Sequence, residues 1–159
     1  MANHLDRDQK SGLFLVRYDV FKPGIVGGYH LQLNLTVYPP KRHVGGEAVI
    51  TQATAQPLVL RTAVHGHYEQ NGSSVTSDID LFLTGRNLLP IPQQQQQPHI
   101  LPLGEDFIFD GLLKGGWRAT PGSTARYLFL HNGRWIEEVG QDIQLEHELQ
   151  NAHKALNLA

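Results

Sequence analysis

The stretch Tyr29-His-Leu-Gln-Leu-Asn-Leu-Thr-Val-Tyr38 decides the class of fold. Apolar residues occupy every second position, and Gln32, Asn34 and Thr36 fill the positions between them. A period of two is typical of a half-buried antiparallel strand, because successive side chains of a strand point to opposite faces. A helix would need an apolar period near ~3.6 residues. The chain is therefore predicted to be all-β.

The same alternation continues on both sides of this stretch. A strand is predicted at 12–20, with Phe14 on one face and Leu15 on the other. Two Asn-Gly pairs, at 71–72 and 132–133, predict hairpins, because Asn and Gly tolerate positive φ. Further strands are predicted, in chain order, at 47–54, 58–69, 74–84, 106–113, 116–120, 126–131 and 134–139.

After Gly140 the apolar spacing changes. Leu145, Leu149, Ala152 and Leu156 recur at helical intervals, which predicts a short C-terminal helix packed on the domain or on a partner subunit. The predicted fold is an antiparallel β-sandwich or flattened β-barrel of about eight or nine strands, with this short helix at its end.

Length and local composition predict one domain. A chain of 159 residues can bury a single core. Residues 1–11 are polar and predict a flexible N-terminal arm, 12–140 form the antiparallel β domain, and 141–159 carry the helix. Within the domain, residues 86–104 predict a Gln/Pro-rich surface loop, because five consecutive glutamines and the prolines around them have nothing to bury.

Composition argues against several functional classes. The net charge of -2 and the scattered basic residues argue against binding to nucleic acid. The absence of cysteine excludes disulfides, thiolate metal ligands and a cysteine nucleophile. The polar N-terminus has no signal-peptide core, and no run approaches the ~20 apolar residues of a membrane span. A cytoplasmic protein without membrane contact is expected.

One pattern suggests a metal. His65, His67 and Glu69 follow each other at every second position, so they share one side of a strand and could converge on an ion. A metal-dependent, cupin-like small barrel enzyme is therefore one alternative. The same strand phase places Val64 and Tyr68 in the core and turns the three polar residues toward solvent, where ordinary surface histidines are the simpler interpretation.

Aromatic residues suggest another alternative. Tyr38, Trp117 and Trp135, and beside them Tyr29 and Tyr127, could stack on a sugar ring in a lectin-like module. Core or sheet-covering positions are nevertheless the more common environment for both tryptophans. The acid pair Asp78 and Asp80 is typical of a solvated strand face, and no nucleophile elbow or phosphate loop is present. We therefore expect a noncatalytic module that binds a small ligand or a protein, without a cofactor, and that could form a homodimer.

Three segments also carry a family resemblance. Gly12–Tyr18, His30–Val37 and Gly46–Pro57 resemble a family of small bacterial proteins catalogued as domain of unknown function eighteen forty-two. The resemblance covers residues 12 to about 69, and Ile50-Thr-Gln-Ala53 is its most distinctive part. It implies a bacterial source, and it implies no activity, cofactor or catalytic residue.

Overall fold

Eight antiparallel strands close into a barrel. The computed structural model describes residues 12–90 and 104–146. Each strand pairs with the next along the chain, and the last pairs with the first, so the described residues form a closed barrel and not a sandwich. The strands are β1 (Phe14–Phe21), β2 (Tyr29–Tyr38), β3 (His43–Gln52), β4 (Leu58–Gln70), β5 (Ile79–Pro90), β6 (Phe107–Leu113), β7 (Thr124–His131) and β8 (Arg134–Leu145).

Side chains fill the inside of the barrel. The predicted alternation of β1 and the predicted inner face of β2 are confirmed: Phe14 and Leu33 are buried, whereas Leu15 is 64% exposed. An eight-stranded barrel is just wide enough for its inward side chains to meet, so its interior becomes the hydrophobic core. The largest fully buried side chains include Tyr18, Phe107, Phe109, Trp117, Tyr127 and Phe129.

The predicted C-terminal helix is not supported. Residues 141–145 continue β8, and Ile143 lies opposite Val20 of β1 with only 2% of its surface exposed. This pairing closes the barrel, so tertiary structure decides the conformation of the segment. A strand bulge that contains Gly140 breaks the period-two alternation just before this segment. Residues 147–159 lie outside the described residues.

Two other predictions on strand boundaries are corrected. Gly116–Arg118 is a 3₁₀ turn and not part of a strand at 116–120, because it belongs to the connection between β6 and β7. The fifth strand begins at Ile79, so the Asn-Gly pair at 71–72 stands in a longer connection and not in a tight hairpin. The hairpin at Asn132-Gly133 is confirmed, with φ of 52° and 74° as its turn requires.

The glutamine tract at 93–97 and the arm at 1–11 also lie outside the described residues. Of the predicted loop at 86–104, the first part continues β5 as far as Pro90.

The barrel has two ends that differ in their side chains. At one end Trp117 is 1% exposed, and its ring meets the rings of Phe14 and Tyr68 edge to face, with centroids 5.6 and 4.9 Å away. We call this the Trp117 end and the opposite one the Glu138 end. The Trp117 end carries the connections 39–42, 71–78 and 114–123, and the Glu138 end carries the connections 22–28, 53–57 and 132–133.

Candidate ligand-binding site

A small pocket lies at the Glu138 end. It has a volume of about 130 Å³ and is formed where β1 ends, where β2 begins and where β8 bulges. These three segments are adjacent in the barrel because β1 pairs with both β2 and β8. Six side chains that line the pocket are Phe21, Lys22, Tyr29, His30, Glu138 and Gln141.

The bulge in β8 aims two polar side chains at this pocket. Tyr127 pairs with Glu138 and Ala125 pairs with Gln141, so β8 has one more residue than β7 between these pairs. Gly140 lies in the bulge with φ 62°. An extra residue shifts the inward phase by one position, so Glu138 and Gln141 both face inward although they are three residues apart. Bulges of this kind often re-aim side chains beside functional sites.

Tyr127 is the most unusual residue of the site. Its side chain is fully buried, and its hydroxyl has no hydrogen-bond partner among the described residues. Burial raises the pKa of this hydroxyl, and the negative charge of Glu138 and the nearby Tyr29 raise it further. A buried hydroxyl without a partner costs about 1–3 kcal/mol of desolvation, so native proteins rarely retain one without a reason.

Glu138 lies directly across the β7–β8 ladder from Tyr127. Its carboxyl is partly buried, and this desolvation raises its pKa, while Lys22 acts in the opposite direction. Gln141 Nε2 donates to the carbonyl oxygen of Val139 at 3.0 Å and, more weakly, to Glu138 Oε2 at 3.4 Å. In the described part of the chain no basic side chain forms an ion pair with Glu138.

Aromatic rings line the rest of the pocket. Tyr29 meets Phe129 edge to face with ring centroids 5.0 Å apart. Phe21 and His30 stack almost parallel, at 5.3 Å and 7°, and His30 Nε2 lies 3.1 Å from Asp19 Oδ1. The pocket therefore joins one weakly partnered carboxyl to flat apolar and aromatic surfaces, which is the composition of many small-molecule sites.

The residues suggested as metal ligands lie elsewhere. His65, His67 and Glu69 are exposed on the outer face of β4, on the side that the strand phase predicts. The register places His43 opposite His67, a neighbour that the spacing of His65 and His67 could not reveal. Across residues 12–90 and 104–146, no three His, Cys, Asp or Glu side chains form a group able to hold a metal ion.

The structure does not bring the three suggested aromatic platforms together. Trp117 is buried at its own end of the barrel and has no free face for a ligand. Tyr38 and Trp135 are 39% and 50% exposed, but Tyr38 ends β2 near the Trp117 end and Trp135 begins β8 at the Glu138 end. Their geometry gives no shared binding surface.

Sequence reasoning did not find Glu138 and Gln141, and it considered Tyr127 only as a stacking surface. A signal was present, because a glycine inside a strand pattern often marks a bulge, and Gly140 follows such a pattern. With the hairpin at Asn132-Gly133 fixed, β7 and β8 could have been paired and the bulge located. The missing partner of the Tyr127 hydroxyl needed the three-dimensional structure.

The family model described as Domain of unknown function (DUF1842) matches residues 11–135. The chain belongs to this family. The match extends the sequence resemblance well beyond residue 69 and takes in β1 to β7, while Glu138 and Gln141 lie just past it. Among curated proteins, none matches this DUF1842 member. None of its described helices has the length and apolar character needed to span a bilayer.

Proposed function

We propose that this DUF1842 protein is a noncatalytic binding module that takes a small ligand into the pocket at its Glu138 end. One observation carries the proposal: a fully buried Tyr127 hydroxyl without a hydrogen-bond partner lies across the ladder from a desolvated Glu138 carboxyl. A ligand that bonds to both groups would recover the desolvation cost that the free protein bears.

The filled interior supports a site at one end of the barrel. Aromatic side chains occupy the centre of the barrel, so the interior leaves no room for a ligand there. The pocket volume of about 130 Å³ suits a molecule of a few heavy atoms.

Binding is favoured over catalysis by the groups that line the pocket. A raised carboxyl pKa is common in enzymes, since a general acid must hold its proton near neutral pH. Carboxyl-based hydrolysis, however, needs a second carboxyl across the cleft, and Glu138 is the single acid among the described residues that line this pocket. Within the same described part of the chain, the lining includes no serine or threonine that could act as a nucleophile.

A screen of small polar molecules by protein NMR tests the proposal. We expect ligands that shift the resonances of Tyr29, Glu138 and Gln141, and whose affinity falls about tenfold, or ~1.4 kcal/mol, in Glu138→Gln. Glu137→Gln is the matched control, because Glu137 is the next residue and faces outward, where it pairs with Arg126 at 3.4 Å. A screen in which every ligand binds elsewhere, or binds both variants equally, would refute the proposed site.

A further inference from the structure

The charge of the pocket lining indicates which charge a ligand must carry. Among the described residues, Glu138 contributes the only carboxyl that lines the pocket. Lys22 also lines the pocket and acts on Glu138 through space, yet no ion pair between them is present in the described part of the chain. A carboxylate that is partly removed from water and has no cation in direct contact gains from one that binds beside it.

The aromatic rings that line the pocket also favour a positively charged ligand. Tyr29 lines the pocket, and Phe21 and His30 form a stacked pair on its wall. The faces of aromatic rings are electronegative, so they attract a cation and also accommodate its alkyl part. An anionic ligand would instead meet the Glu138 carboxylate and these ring faces.

We propose that the ligand carries a small organic ammonium group, which donates its N–H groups to the Glu138 carboxylate. Its alkyl part lies against Tyr29. This inference rests on the proposed function and specifies the class of ligand for the same pocket. The cavity of about 130 Å³ limits the ligand to a short amine and excludes a long polyamine or a peptide chain.

The ammonium class predicts how binding depends on pH. Binding weakens as the pH falls, because protonation of Glu138 removes its charge. The other titratable groups that line the pocket are Lys22, Tyr29 and His30, and Tyr127 lies across the ladder from Glu138.

A pair of probes of similar size tests this class. Propylammonium and 1-propanol are titrated by NMR into the full chain and into the variants Glu138→Gln and Glu137→Gln. We expect the full chain to bind propylammonium about ten times more tightly than 1-propanol, and Glu138→Gln to lose this preference. Glu137→Gln keeps it. Lys22→Ala raises the preference for propylammonium over 1-propanol, because it removes the competing positive charge, and it provides a second variant that retains Glu138.

The outcomes separate this inference from the proposed function. If 1-propanol binds at Tyr29 and Glu138 as tightly as propylammonium, the ammonium class is wrong and the pocket remains a binding site. If neither probe shifts these resonances, the ammonium class is also wrong, and the wider screen of polar molecules then decides whether the pocket binds anything. An amine preference that survives in Glu138→Gln would overturn the assigned role of Glu138.

Discussion

Each end of the barrel buries a complete tyrosine side chain, but the two hydroxyl groups differ in their hydrogen bonding. Tyr18, near the Trp117 end, donates a hydrogen bond to the backbone carbonyl of Trp117. Tyr127, near the Glu138 end, has no partner for its hydroxyl among the described residues. Both side chains have no exposed surface. The same burial therefore stabilises the fold at one end and leaves an unsatisfied group at the other, as a binding site would require.

The acids at the two ends show the same contrast. Asp78 accepts a hydrogen bond from the backbone N–H of Gly115 at 3.1 Å, and this bond, more than nearby Lys114, lowers the pKa of its carboxyl. Glu138 has its pKa raised by desolvation. Asp78 at the Trp117 end thus has a hydrogen bond that stabilises its charged form, whereas Glu138 at the other end is desolvated.

The largest difference between the ends is expected in aromatic packing. Trp117→Ala removes a ring that is packed on two sides and should lower the free energy of unfolding by about 3–5 kcal/mol. Tyr29→Ala, at the other end, removes a partly buried ring and should cost less than half as much, about 1–2 kcal/mol. Urea unfolding of both variants measures this. Equal losses would mean that the Trp117 end is not the more tightly packed one.

Backbone geometry gives a second, smaller contrast. Gly116 has φ 86°, and a Cβ there would lie 2.3 Å from the carbonyl oxygen of Val75. Gly116→Ala should therefore destabilise the protein by about 2–3 kcal/mol, through both strain and collision. Gly140 has φ 62° with nothing within 4 Å, so Gly140→Ala should cost only about 1 kcal/mol. Thermal unfolding ranks the two variants, and the reverse order would contradict the close approach at the Trp117 end.

The third expected effect is a smaller, pH-dependent change in stability that arises from Glu138. Because the folded-state pKa of Glu138 is raised, the folded state holds this proton more tightly than the unfolded state does. The charged carboxyl therefore reduces stability as the pH rises through that window. Glu138→Gln should melt at a higher temperature than the parent protein at pH 7, and the difference should disappear at about pH 4.

Glu137→Gln serves as the control for that experiment. Its exposed ion pair with Arg126 is worth at most about 1 kcal/mol, so its melting temperature should stay equal to the parent's or fall slightly at pH 7. A gain in Glu137→Gln as large as that in Glu138→Gln would mean that overall charge, and not burial of Glu138, sets the effect.

Much of the fold was readable from the sequence, because the period-two pattern of Leu31 to Val37 requires one buried face. The barrel was harder to distinguish from a sandwich. Closure depends on Ile143 pairing with Val20, two residues far apart in the chain, and no local pattern encodes that contact. The helix predicted after Gly140 was wrong over 141–145 for the same reason, since tertiary pairing outweighs local spacing.

The candidate site could not be predicted from the sequence in the same way. The spacing of His65 and His67 suggested a metal site, but such spacing reports only on residues within one strand. A pocket is formed by residues from several strands. The site at the Glu138 end depends on a one-residue bulge between β7 and β8 and on which hydroxyl lacks a partner. These are properties of packing and hydrogen bonding between strands.

The central claim is that the Tyr127 hydroxyl does not stabilise the fold and is kept for a ligand. Removal of each buried hydroxyl, as Tyr18→Phe and Tyr127→Phe, tests it most directly when both variants are unfolded in urea beside the parent protein. We predict that Tyr18→Phe lowers the free energy of unfolding by about 1–3 kcal/mol, because it leaves the Trp117 carbonyl unpaired. Tyr127→Phe should leave it unchanged or raise it by up to about 1 kcal/mol. A loss in Tyr127→Phe equal to that in Tyr18→Phe would contradict the account.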